Sequence, residues 1–245
     1  NGLTQTHQSN MGAYGGPDII TDGLQLAIDA GSIRSYPGSG TSVSSLEGLI
    51  NGTLTNGVGF SSSNGGTFVF DGVDDYIDYT NSINPVSSFS CSAWINLSNI
   101  NPSGSDFPVL TKWSASPTSS RNFILGYRSV GSQKGISFYL YNSSYTQQDN
   151  YRTDWNPSAN VWYYITAVFS AGSFVKIYIN GVTDFTRTSG VYSSLNASST
   201  ASIKSGLTTG LSPFPGKIAI SRIYNQALTD AEVLQNYNAQ KNRFI

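Results

Sequence analysis

The stretch WYYITAVFSAGSFVKIYINGV, residues 162–182, predicts two neighbouring strands of an antiparallel β-sheet. Residues 161–169 are apolar on both faces, which is typical of a central strand that is covered on both sides. The second half alternates instead, with one apolar face made of Val175, Ile177 and Ile179. The Asn180-Gly181 pair that follows favours a type I′ hairpin turn, because Asn and Gly readily adopt the positive φ angles that this turn requires.

The same period of two recurs along most of the chain after residue 22. Alternating stretches occur at residues 24–29, 68–70, 88–97, 136–141 and 218–221. Apolar-in, polar-out alternation marks half-buried strands. About ten or more short strands without long helices predict an all-β fold of two packed antiparallel sheets, a jelly-roll sandwich.

One short helix is predicted near the C-terminus. Thr229 and Glu232 have the spacing of a capping box, in which each side chain accepts a hydrogen bond from a backbone N–H of the first turn. Leu228 and Val233 flank them at the positions of a hydrophobic staple. This pattern gives Glu232 a structural role.

The chain is predicted to consist of an N-terminal arm, residues 1–22, and one domain, residues 23–245. The arm shows no sustained period and is interrupted by glycines and Pro17. Such a segment is expected to become ordered only against another surface. Its larger apolar side chains are the predicted anchors on a partner, either a second copy or another protein: Met11, Tyr14, Ile19 and Ile20.

Charged residues are scarce in this chain. They make up 11% of the sequence, and the net charge is −1, whereas average soluble domains hold roughly 25%. The composition gives no basic surface for nucleic acid and no basic amphipathic helix for a membrane, and no apolar run approaches the ~20 residues of a membrane span. Weak self-repulsion favours packing against copies of the same chain, so we expect a homo-oligomer.

The sequence predicts no catalytic residue. It holds two glutamates, Glu47 and Glu232, and one histidine, His7. Most glycosidases need a pair of poised carboxylates, and most hydrolase triads need a histidine. No phosphate-loop, zinc or dinucleotide motif occurs either. We therefore expect a binding or structural protein rather than an enzyme.

Six segments, in this order, resemble the laminin-G-like modules with a concanavalin-A-like jelly roll. They are DGLQLAIDAGSIRSYPGSGT at 22–41, NGTLTNGVGF at 51–60, NGGTFVFDGVDDYIDY at 64–79, SFSCSAWINL at 88–97, WYYITAVFSAGSFVKIYINGV at 162–182 and PGKIAISRIYNQALTDAEVLQNYNA at 215–239. The first two look particularly like the versions carried by virion proteins of tailed phages, including marine phages.

This resemblance implies a non-enzymatic structural protein of a phage particle, as a head decoration, fibre, neck or tail appendage. In that role the arm would dock on other virion proteins, and the sandwich would be displayed at the virion surface, outside the cell. The alternative is a carbohydrate-binding adhesin or lectin module that recognises cell-surface glycans. A glycan array separates the two hypotheses.

The densest region of aromatic and amide side chains lies between residues 139 and 156. Sugars bind on aromatic faces, while amides and carboxylates fix their hydroxyl groups. The predicted glycan-binding set is Tyr139, Tyr141, Tyr145, Asp149, Asn150, Tyr151 and Trp155. The alternative is that these aromatic side chains pack under loops or against a neighbouring subunit.

Three aspartates, Asp71, Asp74 and Asp75, fall within five residues of one another. Calcium prefers several hard oxygen ligands, so the cluster is the one candidate for a metal site. The alternative is a strand–turn–strand corner in which the carboxylates cap backbone N–H groups. The spacing is not that of an EF-hand loop, so the sequence favours the corner and predicts no cofactor.

Overall fold

Two antiparallel sheets pack face to face in this chain. The computed structural model describes residues 17–48, 50–79, 83–100, 105–152, 154–197, 200–207 and 210–245. In chain order the strands are β1 (Leu24–Asp29), β2 (Ser42–Ser44), β3 (Asn51–Thr55), β4 (Gly59–Ser61), β5 (Thr67–Asp71), β6 (Tyr76–Tyr79), β7 (Phe89–Leu97), β8 (Ser105–Lys112), β9 (Phe123–Val130), β10 (Gln133–Tyr141), β11 (Gln147–Tyr151), β12 (Trp162–Ser170), β13 (Phe174–Ile179), β14 (Val182–Arg187), β15 (Ile203–Ser205) and β16 (Pro215–Tyr224). The helix α1 (Asp230–Asn238) follows β16, and short 3₁₀ turns occur at Ser63–Gly65, Thr118–Ser120 and Lys241–Arg243.

Each sheet is built from strands that are distant in sequence. The first sheet has the order β14-β13-β12-β7-β16-β5-β4, with β1 also paired to β16. The second has the order β11-β10-β9-β8-β15-β6-β3-β2. The chain crosses between the sheets repeatedly, as in a jelly roll. The predicted fold, an all-β two-sheet sandwich with one short C-terminal helix, is confirmed.

The main apolar core lies between the two sheets. The ring of Phe89 in the first sheet lies 5.1 Å from the ring of Phe123 and 5.8 Å from that of Phe138, both in the second sheet. Cys91 is fully buried in the same core. Burial raises the pKa of the Cys91 thiol, so this cysteine packs as a small apolar side chain.

The local signals read from the sequence form as predicted. Asn180 and Gly181 take φ angles of 53° and 79° between β13 and β14, as a type I′ turn requires. Thr229 caps α1, and the reciprocal hydrogen bonds with Glu232 are both present. Leu228 and Val233 are buried together in one cluster, which is the contact expected of a staple.

The outer face of the first sheet is covered by α1 and the C-terminal tail. The Trp94 ring stacks on the rings of Phe244, at 4.3 Å, and Tyr237, at 5.8 Å. This cover changes the burial of β7. Its alternation predicted one polar, solvent-facing side, but all nine residues are buried. The prediction of a half-buried strand is therefore wrong for β7, because the C-terminal segment covers its second face.

Residues 17–22 run along α1 of their own domain. The Ile20 backbone N–H donates to Asn236 Oδ1 at 2.8 Å, and the Tyr224 hydroxyl donates to the Ile20 carbonyl at 3.1 Å. The Ile20 side chain packs against the cluster that holds Tyr224 and Val233. This differs from the expectation that the arm becomes ordered only against a partner, because the buried Asn236 amide supplies the hydrogen bond within the chain. Met11 and Tyr14 lie outside the described residues, and the docking role of the arm stays a prediction.

The sequence predicts no membrane-spanning segment, and the length and hydropathy of the helices can be compared with that prediction. Among the residues that the structure describes, no helix is long and apolar enough to cross a membrane.

Candidate functional site

The outer face of the second sheet carries no helix in the described part of the chain, and we call it the open face. One row of register partners crosses all eight strands on this face: Ser42, Thr53, Asp78, Lys204, Thr111, Ile124, Tyr139 and Asp149. Direct partners in antiparallel strands point to the same side. Neighbouring strands are ~4.8 Å apart, so the row is about 34 Å long.

One half of the open face, formed by β2, β3, β6 and β15, contains a groove of about 740 Å³, which we call the groove half. Its outward side chains are small or polar: Ser42, Ser44, Asn51, Thr53, Thr55, Tyr76 and Asp78. Ser42, Asn51 and Thr53 are exposed. The inward neighbours, Val43 and Tyr79, are buried in the core. Short hydroxyl side chains leave space above the strands, and this space is the groove.

Tyr76 and Asp78 line the groove from β6, and Lys204 of β15 lies beside both. The Lys204 ammonium lies 4.6 Å from the centroid of the Tyr76 ring and 3.4 Å from Asp78 Oδ2. β15 positions Lys204 because it inserts between β8 and β6. The arrangement resembles a sugar site, in which a ring supplies an apolar face and polar groups receive hydroxyls. A groove of this volume also falls within the ≈ 300–1,000 Å³ range of small-molecule sites.

The other half of the open face, formed by β8 to β11, is the tyrosine half. Tyr139 is 4% exposed and Tyr141 is 2% exposed. Asp106 Oδ2 accepts hydrogen bonds from the Tyr139 hydroxyl at 3.0 Å and from Arg128 Nη1 at 3.3 Å. Burial raises the pKa of Asp106, although both hydrogen bonds oppose the rise. Arg128 in turn lies 4.7 Å from the Tyr151 ring centroid.

A second arginine closes the rest of the tyrosine half. The Arg121 guanidinium lies 5.3 Å from the Trp113 ring centroid and 5.9 Å from that of Tyr141. The Tyr141 hydroxyl donates to Gln147, and burial raises its pKa to about 12. With so little surface exposed, neither Tyr139 nor Tyr141 offers an open ring face to a sugar in the part of the chain that the structure describes.

The structure separates the predicted glycan-binding residues. Tyr139, Tyr141, Asp149 and Tyr151 lie on the open face. Asn150 points the other way and is fully buried, where its amide donates to the Phe138 carbonyl at 2.9 Å and accepts from Arg187 Nε at 2.7 Å. Trp155 packs edge-on against Tyr163, at 4.9 Å between ring centroids. Tyr145 lies in a loop and is 40% exposed. The seven residues do not form one site.

The aspartate cluster lies at the corner between β5 and β6. Carboxylate oxygens of Asp71, Asp74 and Asp75 approach within 4.8 Å of one another. Two of their oxygens hold the turn, since Asp71 Oδ1 accepts from Val73 N at 2.7 Å and Asp75 Oδ2 accepts from Asp71 N at 2.9 Å. Three hard oxygen donors suit calcium, but the two hydrogen bonds are those of a corner. We therefore keep the prediction that these three aspartates form a strand–turn–strand corner rather than a calcium site.

The groove half was missed in the sequence because its residues are individually ordinary. Its one usable signal is the alternation of small hydroxyl residues, Ser42 with Ser44 and Thr53 with Thr55, beside the Tyr76–Asp78 pair. The pairing of β2 with β3 and of β3 with β6 brings these stretches together. No local pattern predicts that Lys204 completes the set from a strand more than a hundred residues later.

Comparisons with known proteins agree on the fold. The family model described as the Concanavalin A-like lectin/glucanases superfamily (Laminin_G_3) matches residues 70–234. No curated protein matches in sequence.

Among solved structures, domain 4 of AbnA, a GH43 extracellular arabinanase from Geobacillus stearothermophilus, in complex with arabinotriose, is similar with a TM-score of 0.66 and 20% identity, covering 87% of this chain and 98% of that domain. The botulinum neurotoxin serotype D binding domain gives a TM-score of 0.69 at 15% identity, covering 89% and 52% of the two chains. The binding domain of botulinum neurotoxin DC in complex with SialylT gives 0.67 at 16%, covering 89% and 52%. The chain thus spans about half the length of the two toxin domains.

Proposed function

The chain belongs to the concanavalin A-like lectin/glucanase superfamily, and on that basis we propose that it is a carbohydrate-binding module whose ligand lies in the groove half of the open face. The observation that carries the proposal is the 740 Å³ groove that Tyr76 and Asp78 line, with Lys204 in contact with both. The arabinanase domain, which has the same fold, is in complex with arabinotriose. That likeness supports the proposal.

Tyr76, Asp78 and Lys204 would each make a different kind of contact with a sugar. The Lys204 ammonium lies over one face of the half-buried Tyr76 ring, so the remaining exposed part of the ring would contact the C–H groups of a sugar. Asp78 accepts hydrogen bonds from sugar hydroxyls, and Lys204 donates to sugar oxygens. Because Lys204 and Asp78 neutralise each other at 3.4 Å, the groove holds no excess charge. A neutral glycan therefore fits this surface better than an acidic one.

The shape of the site favours a chain over a single sugar. The strands present exposed polar side chains from Ser42 to Asp78 without an intervening wall of large residues. The part of the register row that belongs to the groove half crosses β2, β3, β6 and β15 and is about 14 Å long. An extended oligosaccharide would lie across the strands, with its units contacting β2, β3 and β6 in turn.

We also propose that the module binds without hydrolysis. Asp78 is the one acidic residue that lines the groove in the described part of the chain. Glycoside hydrolysis in most families uses two carboxyl groups on either side of the bond that is cut. A single carboxylate paired with Lys204 supports binding but supplies no acid–nucleophile pair.

The role in a phage particle, the docking arm and assembly with other copies stay predictions from the sequence resemblance, as does a place on the virion surface. The described residues 17–22 contact their own domain, and the two similar toxin structures named above are binding domains. These observations favour the carbohydrate-binding role over the particle role.

A glycan array followed by calorimetry tests the proposal, with arabinotriose as the first soluble probe. We expect a neutral oligosaccharide to bind, and Tyr76→Ala to weaken that binding about two- to tenfold, since one aromatic contact is worth about 0.5–1.5 kcal/mol. Tyr145→Ala is the matched control, because Tyr145 is exposed in a loop that is not part of the groove. Equal losses in both variants, or no binding to any glycan, would contradict the proposal.

A further inference from the structure

A second cavity lies on the opposite side of the molecule, between residues 17–19, the loops after β1 and the C-terminal segment. Its volume is about 480 Å³. Two arginines, Arg222 and Arg243, line it, together with Gln240 and the apolar side chains of Ile19 and Leu46. It shares no residue with the groove half, and we call it the arginine cavity.

Arg222 is buried without a counter-charge. It is 2% exposed, and its Nη1 donates at 2.9 Å to the neutral side-chain oxygen of Gln240. All 14 acidic side chains of the protein fall within the described residues, and none forms an ion pair with Arg222 within 4.0 Å. Buried charges in proteins are ordinarily paired, because removing a lone ion from water costs several kcal/mol.

Hydrogen-bond donors around Arg222 also lack partners. Within the described residues, Arg222 Nε is buried and makes no hydrogen bond, and the same holds for the hydroxyl of Ser92. Ser92 is the register partner of Arg222 across β16 and β7. A guanidinium nitrogen and a neighbouring hydroxyl without partners leave hydrogen-bonding capacity at Arg222 that the described part of the chain does not use, and Arg222 lines the cavity.

The other arginine of the cavity is already neutralised. Arg243 Nη1 lies 2.6 Å from Asp29 Oδ1, and its Nη2 donates to the Gly66 carbonyl at 2.6 Å. Asp18, the remaining charged residue of the lining, is exposed at the rim. Because Arg243 pairs with Asp29, Arg222 is the one buried charge of the cavity lining in the described part of the chain, and it has no ion-pair partner there.

We propose that the arginine cavity binds a small organic carboxylate, with its anionic group on Arg222 and its apolar body against Ile19 and Leu46. A planar guanidinium matches the geometry of a carboxylate. The cavity is much larger than one ion needs, and its apolar lining suits a hydrocarbon group next to the charge. This site is separate from the groove half and does not depend on glycan binding.

Thermal unfolding with defined anions tests the site, using acetate, benzoate and inorganic phosphate at one ionic strength set with sodium chloride. Benzoate is expected to raise the Tm of the full chain along a saturating curve, by about 3 to 6 °C at ten times its Kd. Acetate binds more weakly because it lacks the apolar body. In Arg222→Gln the rise disappears. Arg152→Gln removes the same charge from an exposed arginine that is paired with Asp154 and Asp184, and it keeps the full rise.

A second variant, in the cavity wall, keeps the test decisive if Arg222→Gln does not fold. Ile19→Trp fills the cavity from the segment outside the sandwich and leaves Arg222 in place, so it also abolishes the rise. No rise with benzoate up to about 100 mM, an equal rise in Arg222→Gln or in Ile19→Trp, or a rise with phosphate alone would overturn the proposal.

Discussion

The tyrosine half and the groove half of the open face belong to one sheet and share one row of register partners. They differ in how far their side chains fill the space above the strands. In the tyrosine half, Arg128 and Arg121 lie over the rings of Tyr151 and Tyr141, and Asp106 receives the Tyr139 hydroxyl. In the groove half, short side chains leave about 740 Å³ open above the strands. Aromatic density therefore marks the part of this face that the protein itself has filled.

The largest expected effect comes from the tyrosine half. Tyr139→Ala removes a buried ring and leaves Asp106 and Arg128 without its hydroxyl, so we expect a loss of about 3–5 kcal/mol in the free energy of unfolding. Urea denaturation measures it. The affinity of the folded fraction for glycan should stay as in the unmodified protein. A selective loss of affinity with unchanged stability would show that the tyrosine half is the ligand site.

In the groove half, Thr53→Trp should give the reverse outcome. Thr53 is exposed in the middle of the groove, so an indole there occupies the space of the ligand. We expect glycan affinity to fall more than about tenfold, while the free energy of unfolding changes by no more than about 0.5 kcal/mol, as for other surface substitutions. Calorimetry and urea denaturation on the same samples check both values. Undiminished binding would exclude the groove half.

The covered face of the first sheet gives a smaller effect. Thr229→Ala removes the hydroxyl that caps α1, and the expected cost is ~1 kcal/mol of stability with no change in glycan affinity. The urea midpoint measures the stability. An unchanged midpoint would mean that the capping box contributes nothing to holding α1 on the sheet.

The smallest effect is expected at the corner beside the groove half, where Asp75 precedes Tyr76. Burial, and then the charges of Asp71 and Asp74, raise the pKa of Asp75. A carboxyl group whose folded pKa is raised stabilises the fold below its unfolded pKa, and this contribution is lost as the pH rises through the folded pKa. Asp75→Asn should therefore raise the urea midpoint at pH 7 in chelator, with the gain disappearing near pH 3–4.

Calcium provides the control for that variant. If the aspartate cluster is a corner, chelator leaves the Tm of the unmodified protein unchanged. A calcium-dependent rise in Tm that Asp75→Asn abolishes would instead assign a metal site to Asp71, Asp74 and Asp75.

The fold was predictable because its signals are local. The alternation of residues 174–179, the Asn180-Gly181 turn and the capping box at Thr229 each depend on a few neighbouring residues. The burial of both faces of β7 was not predictable, since it depends on Phe244 and Tyr237 packing on Trp94 from the far end of the chain. Local patterns report which face of a strand is apolar, but not what later covers the other face.

The candidate site was not predicted from the sequence for a related reason. Tyr139 and Tyr141 were singled out by residue type. Their arginine partners lie elsewhere in the sequence: Arg128 of β9 hydrogen-bonds the Tyr139 hydroxyl, and Arg121, in the loop before β9, lies over the Tyr141 ring. The groove half is defined by missing volume above Ser42 and Thr53, and a one-dimensional pattern does not record volume. Lys204 lies beside Asp78 because β15 pairs with β6, a contact that only the sheet order reveals.

The central claim is that carbohydrate binds in the groove half rather than the tyrosine half. The most direct test is to follow backbone amide chemical shifts by NMR while an oligosaccharide that the protein binds is added. We predict that the amides with changed chemical shifts cluster in β2, β3, β6 and β15, around Ser42, Thr53, Asp78 and Lys204. The chemical shifts of the amides around Tyr139 and Tyr141 should not change. Perturbations confined to β10 and β11 would contradict the account.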